Sequence, residues 1–234
     1  MPSPAIEIRD LVKEYRGLRP LRVRHLAVER GELVAVSGPD AVQASVLVDL
    51  ITGATLPESG EIAIDGVSTA SLTTQEAWLA FLDQFGIVNS RVVLLDSLSV
   101  AQNLAVPLTL SVDPLPAEIR TRVGAIALAV GLAPDLLDAP VGSIAADDRL
   151  RVKLGRAIAL APRTLLVEHP TLDLEPGQVR SAVRKLAALA RPDVAILVVT
   201  ADAEVTRVAT RALSWQPGTG ILRETPGWRR WLGR

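Results

Sequence analysis

Three short stretches of almost unbroken aliphatic residues constrain this chain most: LVAV at 33–36, TLLVE at 164–168 and VAILVVT at 194–200. A strand with one face in water alternates apolar and polar side chains, whereas these runs are apolar on both faces and predict buried, parallel strands. Parallel strands need long crossover connections. Helical spacing fills the gaps, in DDRLRVKLGRAIAL from Asp147 and EPGQVRSAVRKLAALA from Glu175. The chain is therefore predicted to be α/β, with a sheet covered on both faces. An apolar fraction of 49% over 234 residues supplies the core that such layers require.

The remaining segments differ in kind. Residues 6–12 and 21–29 alternate apolar and polar positions and read as half-solvated strands, with a further short strand pair at 61–67. From about 73 to 146 helical spacing dominates, in SVAQNLAVPL and PAEIRTRVGAIALAVGL, with Pro116 suited to a helix start. This predicts an α/β core over about 1–72 and 147–225, an inserted helical lobe over about 73–146 and a tail at 226–234. The tail's GWRRWLGR sets Trp228 and Trp231 three residues apart among arginines, a pattern for a docked terminal helix or an anchor.

Composition excludes several functions. The absence of cysteine removes disulfides, cysteine-held zinc and thiol nucleophiles, and His25 and His169 alone offer little for a metal site. A net charge of −1 argues against a nucleic-acid partner or a polybasic membrane patch. Mean hydropathy is high at +0.31, yet no window reaches 18 apolar residues, so no bilayer span is expected. The first ten residues lack a basic-then-apolar signal pattern, so a cytoplasmic location is expected.

The first buried run ends in Gly38-Pro39-Asp40-Ala41-Val42-Gln43-Ala44-Ser45. Strand, glycine turn and helix is the setting of a phosphate-binding loop, whose pattern G-x-x-x-x-G-K-[ST] uses main-chain N–H groups, a lysine for phosphate and a hydroxyl for magnesium. Gly38 and Ser45 match it; Gln43 and Ala44 do not. Downstream, LGRAIALAPRTLLVEHPTLDLEP resembles the family form ARAxxxxPxxLLLDEPTxxLDP of ABC-transporter ATPases, with Arg156, Ala157, Pro162, Leu165, Leu166, Pro170, Thr171, Leu174 and Pro176 on it without a gap. LLDSLSVAQNLAVPL resembles that family's LxxxLTVxENVxxPL, most like its phospholipid-trafficking and lipoprotein-release branches.

The resemblance implies a P-loop NTPase-like ABC ATPase fold with an N-terminal antiparallel β subdomain and an inserted helical lobe. It also implies roles by position: Tyr15 at the adenine, residues 38–45 around phosphate, Ser90 at the metal-reaching glutamine, Glu168 at the Walker B aspartate, His169 at the catalytic glutamate and Ala201 at the phosphate-sensing histidine. Ser45 and Glu168 are the metal-ligand positions. LSGGQ, which completes a partner's site, becomes Ile144-Ala145-Ala146-Asp147-Asp148. Losing the lysine at Ala44 forfeits a charged contact of about 1.5–3 kcal/mol, and a bare Asp147 about 5 Å from phosphate would repel it by roughly 3 kcal/mol.

ATP and magnesium are thus expected to bind weakly or not at all. The implied partners are a membrane permease and either a second copy or an intact ABC ATPase. The implied location is peripheral, on the inner face of the membrane. The bland readings stand beside these: Tyr15 as strand-end packing, Ser45 as a helix N-cap, Glu168 as an acidic strand end. Three functions stay open: a non-catalytic transporter subunit docking through apolar residues at Leu94, Leu95, Leu98, Val100, Leu104 and Val106; an active ATPase using His169 with Lys13 reaching the phosphates; and a regulatory module outside transport.

Overall fold

The structure, a computed structural model, describes residues 3–225, so the tryptophan and arginine tail lies outside the described residues. In chain order the elements are β1 (Ile6–Lys13), β2 (Leu21–Val28), β3 (Leu33–Ser37), α1 (Ala41–Ile51), β4 (Ser59–Ile64), β5 (Val67–Ser68), α2 (Gln75–Leu82), β6 (Phe85–Val88), α3 (Val100–Ala105), α4 (Ala117–Val130), α5 (Ala146–Ile158), β7 (Thr164–Glu168), α6 (Pro176–Ala188), β8 (Ala195–Val199), α7 (Ala203–Val208), β9 (Arg211–Gln216) and β10 (Ile221–Glu224). They form an antiparallel sheet ordered β2-β1-β4-β5 and a second sheet ordered β10-β9-β3-β8-β7-β6. In the second sheet β3 runs parallel to β8 and β9, and β7 parallel to β8 and β6, while β10 closes one edge antiparallel.

The three aliphatic runs are β3, β7 and β8 at the centre of that sheet. Each divides its side chains between two cores, as a period of two dictates. Leu33, Ala35, Leu165, Val167, Ile196 and Val198 face the helices α3 to α7, and Val34, Val36, Leu166, Leu197 and Val199 face α1 and the antiparallel sheet. The result is a three-layer molecule in which the central strands β3, β7 and β8 are buried on both faces.

Two boundaries differ from the sequence reading. The helix expected from Ser45 begins at Ala41, with Asp40 as its N-cap. The stretch read as helical lobe also contains β6, an edge strand of the parallel sheet beside β7. At Gly86 of β6 an added Cβ would lie 2.3 Å from the Ala157 carbonyl oxygen, so α5 rests directly on the strand there. Among the described residues no helix is long and apolar enough to cross a membrane.

Candidate functional site

The turn after β3 is where the motif places a phosphate. Gly38 adopts φ +115, and a Cβ on it would come 2.8 Å from the Trp215 carbonyl oxygen of β9, so strand packing alone requires the glycine. Pro39 is buried behind it. The Asp40 carboxylate then accepts from the Gln43 amide at 2.8 Å, while Gln43 Oε1 accepts from the Asp40 amide at 2.9 Å. This reciprocal capping box winds residues 41–43 into the first turn of α1. Gln43 also donates through Nε2 to the Tyr15 hydroxyl at 2.9 Å, and the Tyr15 ring packs at the edge of the core.

An anion cradle needs several convergent N–H groups. Here the Asp40 and Gln43 amides bond to side-chain oxygens and the Ala44 amide to the Asp40 carbonyl at 2.8 Å, which leaves those of exposed Ala41 and Val42. Ala44 is fully buried in the core with Leu47 and Val48. Ser45 is half-buried inside the helix and caps nothing. Asp40 is the cap instead, because its carboxylate reaches the third helical amide.

Glu168 ends β7 almost fully buried, held by Asn89 Nδ2 at 3.1 Å. Burial pushes its carboxyl above the usual range, against the opposing effects of the Asn89 bond and nearby Arg91. Arg91 Nη2 lies 3.8 Å from Glu168 and 2.9 Å from Asp49 of α1. Ser90, between Asn89 and Arg91, is exposed. His169 takes φ +42, a conformation costing about 1–3 kcal/mol in a non-glycine residue. Its amide donates to the Val199 carbonyl at 2.8 Å, and its Nε2 is buried with no partner among the described residues. Ala201 is exposed after β8 and offers no polar side chain.

Lys13 cannot serve as a replacement lysine, because its ammonium bonds the Leu56 carbonyl at 2.8 Å and Glu58 at 2.9 Å. The lysine near the site is Lys153 of α5, which lines a cavity of about 330 Å³ with Arg149, Glu168, His169, Asp96 and Asp173. This mixture of charges selects neither an anion nor a cation. Sequence reasoning missed Asn89, Arg91 and Asp49, and passed over Lys153 in favour of Lys13. Adjacency to Ser90 was the only signal for the first two, and Asp49 had none.

At the signature position Ile144 packs against the helical core and Ala145 starts α5 without a side-chain cap. The bare charge expected at Asp147 is absent. Arg151 bonds Asp147 at 2.8 Å and Asp148 at 2.6 Å, and also reaches Ser181 Oγ of α6 at 3.2 Å. Burial, together with the neighbouring Asp147 charge, raises the Asp148 carboxyl despite Arg151.

The resemblance implies a magnesium nucleotide at this face. From Ala41 onward the segment that would cradle phosphate is helix, the lysine position is a buried methyl group, and the acidic strand end faces a guanidinium. Among the described residues no group of three or more acidic or histidine side chains could hold a metal.

The chain is similar to known proteins nonetheless. The ABC transporter family model matches residues 21–172. An uncharacterised ABC transporter ATP-binding protein of Mycobacterium tuberculosis, Rv2564, is 31% identical over 94% of this chain and 68% of its own length. The methionine import ATP-binding protein MetN of Brucella abortus is 28% identical over 97% of this chain and 61% of its own. Among solved structures, cbiO1 of Clostridium perfringens superposes with a TM-score of 0.79 at 22% identity, covering 99% of this chain and 92% of that one. The dimeric bacterial cassette MJ0796 does so at 0.75 and 23%, covering 94% and 97%. With the layered fold and its ordered motif positions, these matches establish that the chain belongs to the ABC transporter ATP-binding family.

Proposed function

We propose that this chain is a non-hydrolysing ABC subunit of a membrane transporter, keeping the family's fold and docking surface without its chemistry. The observation that carries this reading is the phosphate-loop segment wound into α1 with Ala44 inside the core. Phosphoryl transfer depends on positioning and charge, and the lysine, glutamine, glutamate and histidine positions read Ala44, Ser90, His169 and Ala201. The partners are a permease at the inner membrane face and a second cassette, either another copy or an intact ABC ATPase. Two likenesses support this: cbiO1 is described as part of the ABC transporter complex cbiONQ, and MJ0796 as dimeric.

Docking falls to a smaller apolar set than the sequence suggested. Leu94, Val100 and Leu104 are core, Leu98 and Val106 are half-buried, and Leu95 is exposed together with Val93. The purified chain is expected to show no magnesium-dependent ATP hydrolysis above a boiled control. Turnover abolished by His169→Ala would overturn the reading in favour of an active enzyme, for which the unpartnered His169 Nε2 beside the Lys153 cavity is the supporting observation. Charges at Val93 and Leu95 should leave melting unchanged and abolish co-sedimentation with partner-bearing membranes. Unchanged binding would favour a regulatory module outside transport.

A further inference from the structure

The cavity of about 330 Å³ lies where the carboxyl ends of two parallel strands meet the helical layer. Val88 ends β6 and Glu168 ends β7, and both line it together with Leu150 and Lys153 of α5. Ligands of open α/β sheets settle at the carboxyl ends of strands, and pockets of about 300–1,000 Å³ are the usual size for a small molecule. Much of the lining is apolar: Val88, Leu94 and Leu150 belong to the helical-layer core, and Leu174 packs on it. Of residues 38–45 only Ala41 reaches the cavity, so it lies to one side of the phosphate-loop position.

Most of the charges in its wall answer one another. Arg149 bonds Asp96 at 3.2 Å and the Val141 carbonyl at 3.3 Å. Glu168 is held by Asn89 and lies 3.8 Å from Arg91. What remains is one charge of each sign: the ammonium of half-buried Lys153 and the carboxylate of exposed Asp173 bond no group among the described residues. The buried His169 Nε2 of the same wall is likewise unpartnered among them. A lone anion would satisfy Lys153 and be repelled by Asp173, and a lone cation would meet the reverse. A molecule carrying both charges answers both.

We propose that this cavity binds a small zwitterion with an apolar body, an amino acid of the class of leucine, methionine or phenylalanine, its carboxylate on Lys153 and its ammonium on Asp173. Its apolar side chain covers Leu150 and Leu174. Bound there, the molecule joins the ends of β6 and β7 to α5 and so ties the helical layer to the sheet. The inference goes beyond the non-hydrolysing reading, because neither Lys153 nor Asp173 is among the positions on which that reading rests.

The test is melting and amide exchange on the full chain with L-leucine, L-methionine or L-phenylalanine. Beside them run two molecules that each lack one of leucine's charges, 4-methylpentanoate and 3-methylbutylamine. A dissociation constant of about 1 mM would raise Tm by roughly 3–6 °C at about 10 mM ligand. At least one amino acid should do so and slow exchange at 88–94, 150–153 and 168–174, while each single-charge analogue gives less than half the shift. Lys153→Met and Asp173→Asn should melt within about 2 °C of the parent without ligand, having no partner to lose, and each should abolish the shift. The proposal is overturned by no shift with any of the three amino acids, by an equal shift with either analogue, or by a shift that survives either substitution. A rise with magnesium ATP that Lys153→Met abolishes would give the cavity to a nucleotide and overturn it too. ATP turnover with the amino-acid shift intact would defeat the proposed function and leave this inference standing.

Discussion

A methyl group at position 44 decides most of what this site can do, and its burial says more than its missing charge. Ala44 is fully enclosed by the α1 core, so Ala44→Lys puts an ammonium where no partner exists. We expect a loss of roughly 2–4 kcal/mol, or about 5–15 °C in Tm, and no hydrolysis. An unchanged melt with new ATPase activity would mean that residues 41–43 unwind readily. Glu168 carries the pH dependence at this scale. Its folded carboxyl is raised above the ordinary 4.5 by burial, so its stabilising contribution is complete below that value and lost as pH rises through the higher folded value. Glu168→Gln should therefore melt with the parent near pH 4 and above it near pH 8, as followed by calorimetry. A difference that grows toward acid would contradict the assignment. The likeness of residues 38–45 to a family motif was legible from spacing, but Gln43's double role was not. A glutamine can cap, reach a tyrosine or point to water, and the sequence carries no preference among them.

Helix α1 is the element on which site and fold meet. Its N-terminal box ties Asp40 to Gln43 and, through Gln43, to Tyr15. Asp40→Ala should cost about 1 kcal/mol, roughly 2–4 °C in Tm, as a lost cap does. Were the segment a phosphate loop, the same substitution would leave stability alone and improve nucleotide binding, so melting and calorimetry with magnesium ATP separate the two. Apolar spacing at Val46, Leu47, Leu50 and Ile51 marks the helix in the sequence and places its start at Ser45, four residues after the Ala41 at which it begins in the structure. Family spacing favoured a loop there, while the local cap chemistry of Asp40 and Gln43 favoured helix and won. α5 shows the opposite case: its span follows from spacing, and so does the pairing of Asp147 and Asp148 with Arg151, four and three residues on along the same helix, whereas the reach of Arg151 to Ser181 of α6 was set by packing.

Across the whole molecule, the helical layer is seated on the sheet where α5 meets β6. Gly86 admits the Ala157 backbone where no side chain fits, so Gly86→Ala should displace α5 and cost roughly 1–3 kcal/mol, seen as a fall in Tm and faster exchange in α5. An unchanged melt would show that α5 has slack there. The sequence by itself determined the α/β class, the buried parallel strands and the order of the family stations, because period and composition act locally and are written residue by residue. It also determined at which positions the chain departs from the family's motifs. Only the tertiary structure decided what surrounds those positions. That Arg91 lies between Asp49 and Glu168, and that Lys153 and not Lys13 borders the cavity, both depend on contacts between segments far apart in the chain, whose pairing becomes defined only when three layers pack to solid density.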